Sequence, residues 1–396
     1  MEKGKKREII FIIFVALAVV IFTISGFFST SKNPLKDRGL NATYATILEM
    51  NFDNTNGLKR DKVNEYKFQE FQIEITEGKH KGEKYWMRNS VETFDIYNVV
   101  VEEGEKILVA IDEDEEGNIV NLHVYDKRRD ILLTVLVILF ILGVIIIGGK
   151  QGFKAILTLM FTIILIINVL LPLILRGFNP IFVAIMILFI IICVTLTVIG
   201  GFSVKTLAAI LGTTGGVIIS GVIAYLFGKA VELTGLAGDS VQQLVYLLDF
   251  PDLNFQGILF ASIIIGSMGA IMDVSISIAS SMYEIISLQP DIKRNVLMKS
   301  GMNIGRDIIG SMSNTLILAY TGSSCELMLL FMASGTTFKE IINLDLIATE
   351  IIRAIGGSIG LTFTIPITVV LSTFIYKSRK NLPCTKKVQK KHHYKK

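Results

Sequence analysis

The chain has 396 residues, 51% apolar and 19% charged, with a formal net charge of +4. An ordinary soluble domain carries about 25% charged residues, whereas here the charges crowd into residues 29–130 and the two tails, and 131–375 is built from long apolar runs. That segregation excludes a soluble core for most of the chain, and Cys193, Cys325 and Cys384, with no CxxC pair or metal-type spacing, imply no disulfide framework.

The chain opens on Lys3, Lys5, Lys6 and Arg7, followed by the apolar run Ile9–Phe28. This order also begins a secretory signal peptide, but the run exceeds an h-region of about 7–15 residues and no small-x-small cleavage site ends it. Residues 1–28 therefore read as a cytoplasmic N-terminus and an uncleaved signal-anchor helix.

Residues 29–130 read as an extracytoplasmic β domain. Alternating β-branched and aromatic stretches recur at Tyr44–Phe52, Tyr66–Thr76, Glu83–Arg88, Tyr97–Glu102, Lys106–Ile111 and Ile119–Tyr125. Turn signals separate them at Gly78, Gly82, Gly104 and Gly117. Short strands at this spacing predict a small antiparallel barrel or sandwich, with Trp86 and Tyr85 in its core or at its rim. Asp112, Asp114 and Glu116 match the opening of a calcium loop, but the twelfth position is His123 rather than Glu, so the stretch reads as an acidic hairpin tip.

Seven further apolar runs follow at about 131–149, 153–175, 181–200, 206–227, 257–279, 307–332 and 350–376. Each approaches the ~20 residues that a ~30 Å hydrocarbon core requires. The predicted fold is a membrane all-α bundle of about eight transmembrane helices, with the β domain inserted between helices 1 and 2. Residues 131–376 form the membrane domain and 377–396 a basic cytoplasmic tail.

Loops expected inside carry Lys150, Lys154, Lys205, Lys293, Arg294, Lys299 and Arg306, while those expected outside carry Arg176, Lys229 and Lys339. This bias puts both termini in the cytoplasm. Val241, Leu244, Val245 and Leu248 recur at helical spacing in the connection 228–256, which predicts an amphipathic surface helix.

Polar chemistry concentrates in spans 6 and 7. In span 6, Gly266, Gly269, Ala270, Asp273, Ser277, Ser280, Ser281 and Glu284 fall on one helix face, opposite Ile263, Ile271, Val274, Ile276 and Ile278. In span 7, Asn303, Asp307, Gly310, Ser311, Asn314 and Thr315 likewise line up. Small residues permit close helix contact, and polar ones need partners that lipid does not supply.

The expected ion or substrate path is therefore Asp273, Ser277, Ser281, Asn303, Arg306, Asp307, Ser311, Asn314 and Thr315. An Asp at mid-span costs about 2.5–3.5 kcal/mol on insertion scales. Asp273 reads either as an ion or proton site or as a satisfied structural group. Arg306 either snorkels to the headgroups or partners Asp273 or Glu284. At 1.5 Å per residue Asp273 and Asn314 come to similar depth, and Gly269 and Gly310 would let the two meet.

Glu350 and Arg353 are spaced as a pair, and Gly356, Gly357, Gly360 and Pro366 follow. In span 5, Gly212, Gly216 and Ser220 repeat a small-xxx-small pattern. No HExxH, GxSxG or phosphate-loop motif is present, which argues against an enzyme, a cofactor or a bound metal. The lysines from Lys386 to Lys396 suit anionic lipid at the inner leaflet rather than nucleic acid. Oligomerisation is left open.

The stretches Gly266–Ser281 (GSMGAIMDVSISIASS) and Ser300–Tyr320 (SGMNIGRDIIGSMSNTLILAY) resemble the signature of the YibE/F-like family of bacterial multi-pass membrane proteins. The outer module, with Gly78–Gly82 (GKHKG) and Glu102–Glu105 (EEGE), resembles it too. The resemblance implies a bacterial plasma-membrane protein of permease-like architecture and transfers no catalytic residue. The expected function is a transporter or channel for an ion or small solute. The second reading is a non-catalytic assembly or sensing protein whose outer domain binds a partner.

Overall fold

The computed structural model describes residues 2–29, 40–53, 67–91, 99–114, 116–247 and 253–378. The basic tail beyond 378, with Cys384 and the lysines expected to meet anionic lipid, lies outside them. The chain divides into two units, Ser25–Ile147 and Met1–Ile24 with Gly148–Lys396.

In the first unit, period-two alternation makes strands with one apolar face. The strands are β1 (Leu40–Asp53), β2 (Lys67–Ile75), β3 (Lys84–Val91), β4 (Lys106–Glu113) and β5 (Ile119–Lys127). They form one antiparallel sheet in the order β3-β2-β1-β4-β5. Contact between β3 and β5 curls it into a barrel-like shape. The long β1 pairs with β4 through Leu40–Thr46 and with β2 through Ala45–Asp53, and irregularities after Ile47 and Met50 bend it between the two partners. Ala45, Ile47, Phe71, Ile73, Met87, Val101, Ile107 and Val109 form the core.

All four turn glycines adopt positive φ: Gly78, Gly82, Gly104 and Gly117. The expected acidic hairpin tip is held by Asp114, whose Oδ1 accepts from the amides of Glu116 and Asn118. Those bonds, led by Asn118, hold its carboxyl below the usual range.

Tyr85 packs against this core, as expected, whereas Trp86 alternates outward from Met87 and is 55% exposed. The predicted strand Tyr97–Glu102 begins outside the described residues, and its part from Val99 onward is not a strand. A side chain replaces the ladder there. Gln69, fully buried, donates to Val101 O at 2.8 Å and accepts from Val101 N at 3.1 Å, and it also donates to Asp53 Oδ2 at 3.1 Å.

The helices are α1 (Glu2–Ser29), α2 (Asp130–Leu165), α3 (Leu171–Leu175), α4 (Pro180–Gly200), α5 (Val204–Ala230), α6 (Asp239–Leu247), α7 (Phe255–Leu288), α8 (Arg294–Ser323), α9 (Cys325–Ser334), α10 (Phe338–Ile342) and α11 (Asp345–Ser378). A π-helical turn, Ile166–Leu170, joins α2 to α3.

Among the described residues, five helical stretches are long and apolar enough to cross a membrane, or six if the bent pair α8–α9 is one span. One of the five, Asp130–Leu175, has 46 residues, which at ~1.5 Å each far exceeds a ~30 Å core. Gly149, at φ 51° and ψ −129°, breaks it where the sequence predicts two spans to part. The expected span 307–332 is not one straight helix: it starts earlier, at Arg294, and bends by 55° between Ser323 and Cys325. The small run Gly322, Ser323 and Ser324 is where such a bend is easiest. The loop between α7 and α8 shrinks to 289–293, because polar residues end a hydropathic run without ending a helix. The amphipathic connecting helix appears as α6, with Leu248 outside the described residues.

Small residues close the centre of the second unit. α5 runs antiparallel to α11 with Gly212 against Thr368, Gly216 against Thr364, Ser220 against Gly360 and Ala224 against Gly356. A β-carbon on Gly360 would stand 2.5 Å from Ser220 Cβ, and one on Gly212 or Gly216 would overlap a threonine hydroxyl outright. α7 lies against both. Ser267 bonds Ser220 at 3.1 Å, Ser275 bonds Thr368 at 3.1 Å, and Tyr376 donates to Ala279 O at 2.8 Å. Ile263, Ile271, Val274 and Ile278 of α7 are buried, as expected.

Two outcomes follow. Gly216→Val should lower thermal stability in detergent by several degrees or prevent folding, while Gly310→Ala, which meets nothing within 4 Å, should leave melting unchanged or raise it slightly through helix propensity. Equal losses at both sites would contradict this packing. In residues 40–128 expressed alone, Gln69→Leu should cost about 2–4 kcal/mol in urea unfolding followed by circular dichroism, since a buried backbone group left unpaired costs about 1–3 kcal/mol.

Candidate functional site

α8 packs through its small face. Gly305 meets Ile365 of α11, and Gly301 meets Met282 of α7 and Val369 of α11. With 3.6 residues per turn, Asn303, Asp307, Gly310 and Asn314 then point away from the bundle, and all are exposed. α7 behaves alike. Its isoleucine face is buried, while Gly266, Gly269, Asp273 and Ser277 on the reverse are exposed.

Two contacts fix the register between these antiparallel helices. Gly301 stands beside Met282, and Gly266 stands beside the Tyr320 hydroxyl, where a β-carbon would lie 2.6 Å from it. By that register Ser281 lies level with Asn303, Ser277 with Asp307, Asp273 with Gly310 and Ser311, and Gly269 with Asn314 and Thr315. Asp273 and Ser277 of α7 and Asn303, Asp307, Ser311 and Asn314 of α8 therefore follow one another along a two-helix polar lane, whereas Arg306 and Thr315, nine residues apart, project from opposite sides of α8 and flank it. From Asn303 to Tyr320 the lane climbs about 26 Å at 1.5 Å per residue, most of a ~30 Å core.

The expected meeting of Asp273 and Asn314 is not made. No hydrogen bond joins them, and a β-carbon on Gly269 or Gly310 would meet nothing within 4 Å, so the helices do not close at that level. The close approach uses Gly266, Gly301 and Gly305 instead. Among the described residues Asp273, Arg306, Asp307 and Glu284 form no ion pair, so the expected Arg306 partnership with Asp273 or Glu284 is absent too. Ser311 and Thr315 donate to their own helix, at Ile308 O and Ser311 O.

A second polar group sits at the far end of the lane. Arg353 pairs with Glu350 at 2.6 Å, as the spacing predicts. Among the described residues, the other carboxylate oxygen of Glu350 is buried without a hydrogen-bond partner, as is the hydroxyl of Thr349. Tyr320 was not legible as a site residue: it stands inside the apolar run 307–332, and no spacing in the sequence ties it to span 6. Only its level with Gly266 reveals its place. No cluster of His, Cys, Asp or Glu suited to a metal ion occurs among the described residues.

Arranged this way, the lane offers carboxylate, amide and hydroxyl groups at successive depths. Such a series can pass a cation, a proton or a small polar solute, or bind another polar surface. It contains no nucleophile–base pair.

Residues 136–378 match the family model described as YibE/F-like protein, and residues 41–126 match the one described as YibE/F family N-terminal domain. No curated protein and no solved structure matches the chain.

Arg353→Leu should destabilise the membrane unit, because Glu350 is then left without its partner; removing one member of a fully buried pair costs about 3–5 kcal/mol, and this half-buried pair should lose less. The double variant Glu350→Leu, Arg353→Leu should recover most of the melting temperature in detergent. A double variant no better than the single one would contradict the pairing.

Proposed function

The chain belongs to the YibE/F-like family of membrane proteins, and we propose that it is a non-catalytic transporter or channel for an ion or small solute, with α7 and α8 lining the route. The observation that carries this reading is the lane itself. Polar and small groups follow one another for about 26 Å, nearly the thickness of a hydrocarbon core. A purely structural seam needs only enough polar groups to satisfy one another.

The setting we propose is a bacterial plasma membrane, crossed about eight times once α1 and the two halves of the broken α2–α3 stretch are counted. The charges support cytoplasmic termini. Gln151 bonds Ile199 O, Glu8 approaches Gly201, and Lys377 bonds Pro290 O. These contacts mark helix ends that carry Arg7, Lys150, Lys154, Lys205, Lys293, Arg294 and Lys377. Residues 29–130 would then lie outside and the basic tail would meet anionic lipid.

An assembly or sensing role is favoured by one feature of the β unit. Arg88 stacks 3.8 Å over the Phe68 ring, Phe52 stacks on Phe68, and Trp86 is exposed on the same strand as Arg88. Such a face suits a partner.

Reconstitution in liposomes with a panel of cations, protons and small polar solutes tests the route. Flux of one species should appear with the wild type, and Asp273→Asn should remove it while melting temperature and insertion are kept. Flux that survives Asp273→Asn would take Asp273 off the route. No flux from any species would favour the assembly role.

A further inference from the structure

The lane is open on one side, and the bilayer cannot cover it. Asp273, Arg306 and Asp307 are exposed and unpaired among the described residues, and an Asp within a span, as Asp273 is, costs up to about 2.5–3.5 kcal/mol against lipid on insertion scales. Asn303, Asn314 and Ser277 are exposed beside them. We infer that a second copy of this chain covers the α7–α8 face, so that the polar lane is completed only in a homodimer and is lined by both copies. The inference needs α7 and α8 to lie in the bilayer; it stands whether or not anything moves along the lane.

Self-complementarity selects a second copy. A two-fold axis along the bilayer normal keeps each residue at its own depth and sets α7 of one copy against α8 of the other. By the register above, Asp307 then meets Ser277 of the partner subunit, and Asp273 meets the partner's Ser311. Each carboxylate thus faces a hydroxyl at its own depth, and Ser311 has only to turn from its own helix. The face carries both signs of charge, with Arg306 within one turn of the acids.

Space is available where the contact needs it. Gly269 and Gly310 have nothing near them, and they stand one turn from Asp273 and Asn314 in the small-xxx-polar spacing of membrane helix interfaces. The strip is about 26 Å long and two helices, about 20 Å, wide. That is roughly 500 Å² per copy in projection, before corrugation of the surface is counted, against the ~800 Å² per partner of a typical stable interface.

Cysteine cross-linking in native membranes tests this with the full chain. Cys193, Cys325 and Cys384 are replaced by Ala or Ser, and single cysteines are placed by Gly269→Cys, Ser277→Cys, Gly310→Cys and Asn314→Cys, with Phe182→Cys on the exposed face of α4 as control. Copper-catalysed oxidation by oxygen joins two thiols as a disulfide. A reducible band at twice the chain mass should form from at least one lane position, several-fold above the control. Counting of subunits in lipid nanodiscs should give two. The inference is overturned by a single copy in nanodiscs with no lane cross-link. It is equally overturned if the band contains a different polypeptide. Loss of flux without loss of the cross-link would bear on transport alone.

Discussion

The close approach of α5 and α11 is the constraint from which the rest of the membrane unit follows. Four successive small residues on each helix meet in matched layers, from Gly212 and Thr368 to Ala224 and Gly356. Lipid tails are as apolar as leucine, so helices in a membrane are not driven together by the hydrophobic effect. They need dispersion contact over a large area and hydrogen bonds that lipid cannot offer. Glycine supplies the first by letting backbones approach, and Ser220, Ser267, Ser275 and Thr368 supply the second.

With that centre set, the orientation of α7 and α8 is decided by volume rather than polarity. The isoleucine face of α7 fills the space beside α5 and α11, and Gly301 and Gly305 let α8 lie down on α11. Both helices then have only one direction left for their acids and amides, which is outward. The bundle therefore solves its own packing and leaves a polar surface unsolved. That contrast gives the lane its interest: a polar group left exposed in a bilayer is retained only where water, a solute or another protein meets it.

Much of this was legible in the residues. Alternation located β1 to β5, and glycines at positive φ ended the strands where turn chemistry placed them. The grouping of the polar residues on one face of each helix also held, because 3.6-residue periodicity is a local property. What the pattern lacks is direction. A small-and-polar stripe looks the same whether it faces a neighbouring helix or the surroundings, so Gly216 and Gly310 read alike although one touches Thr364 and the other touches nothing. The expected Asp273–Asn314 bond failed for that reason. The strand predicted at Tyr97–Glu102 failed for another: the backbone groups of Val101 are satisfied by a glutamine side chain, which no alternation pattern reveals.

The breaks in the helices follow the same logic. Hydropathy registers how apolar a segment is, and a glycine costs it little, so residues 130–175 form one apolar stretch through a position where the backbone leaves helical geometry. The bend between α8 and α9 falls at a Gly-Ser-Ser run that hydropathy also passes over. Backbone freedom at Gly149 and Gly322 thus sets where a span can end, while side-chain polarity sets which face of it must find a partner. On α7 and α8 these two requirements separate. The helices continue past the apolar core to Leu288 and from Arg294, carrying Glu284, Lys299 and Arg306 beyond or to its edge. Asp273 and Asn314 have no such exit, being several turns inside either end. Their charge and amide must be answered at their own depth.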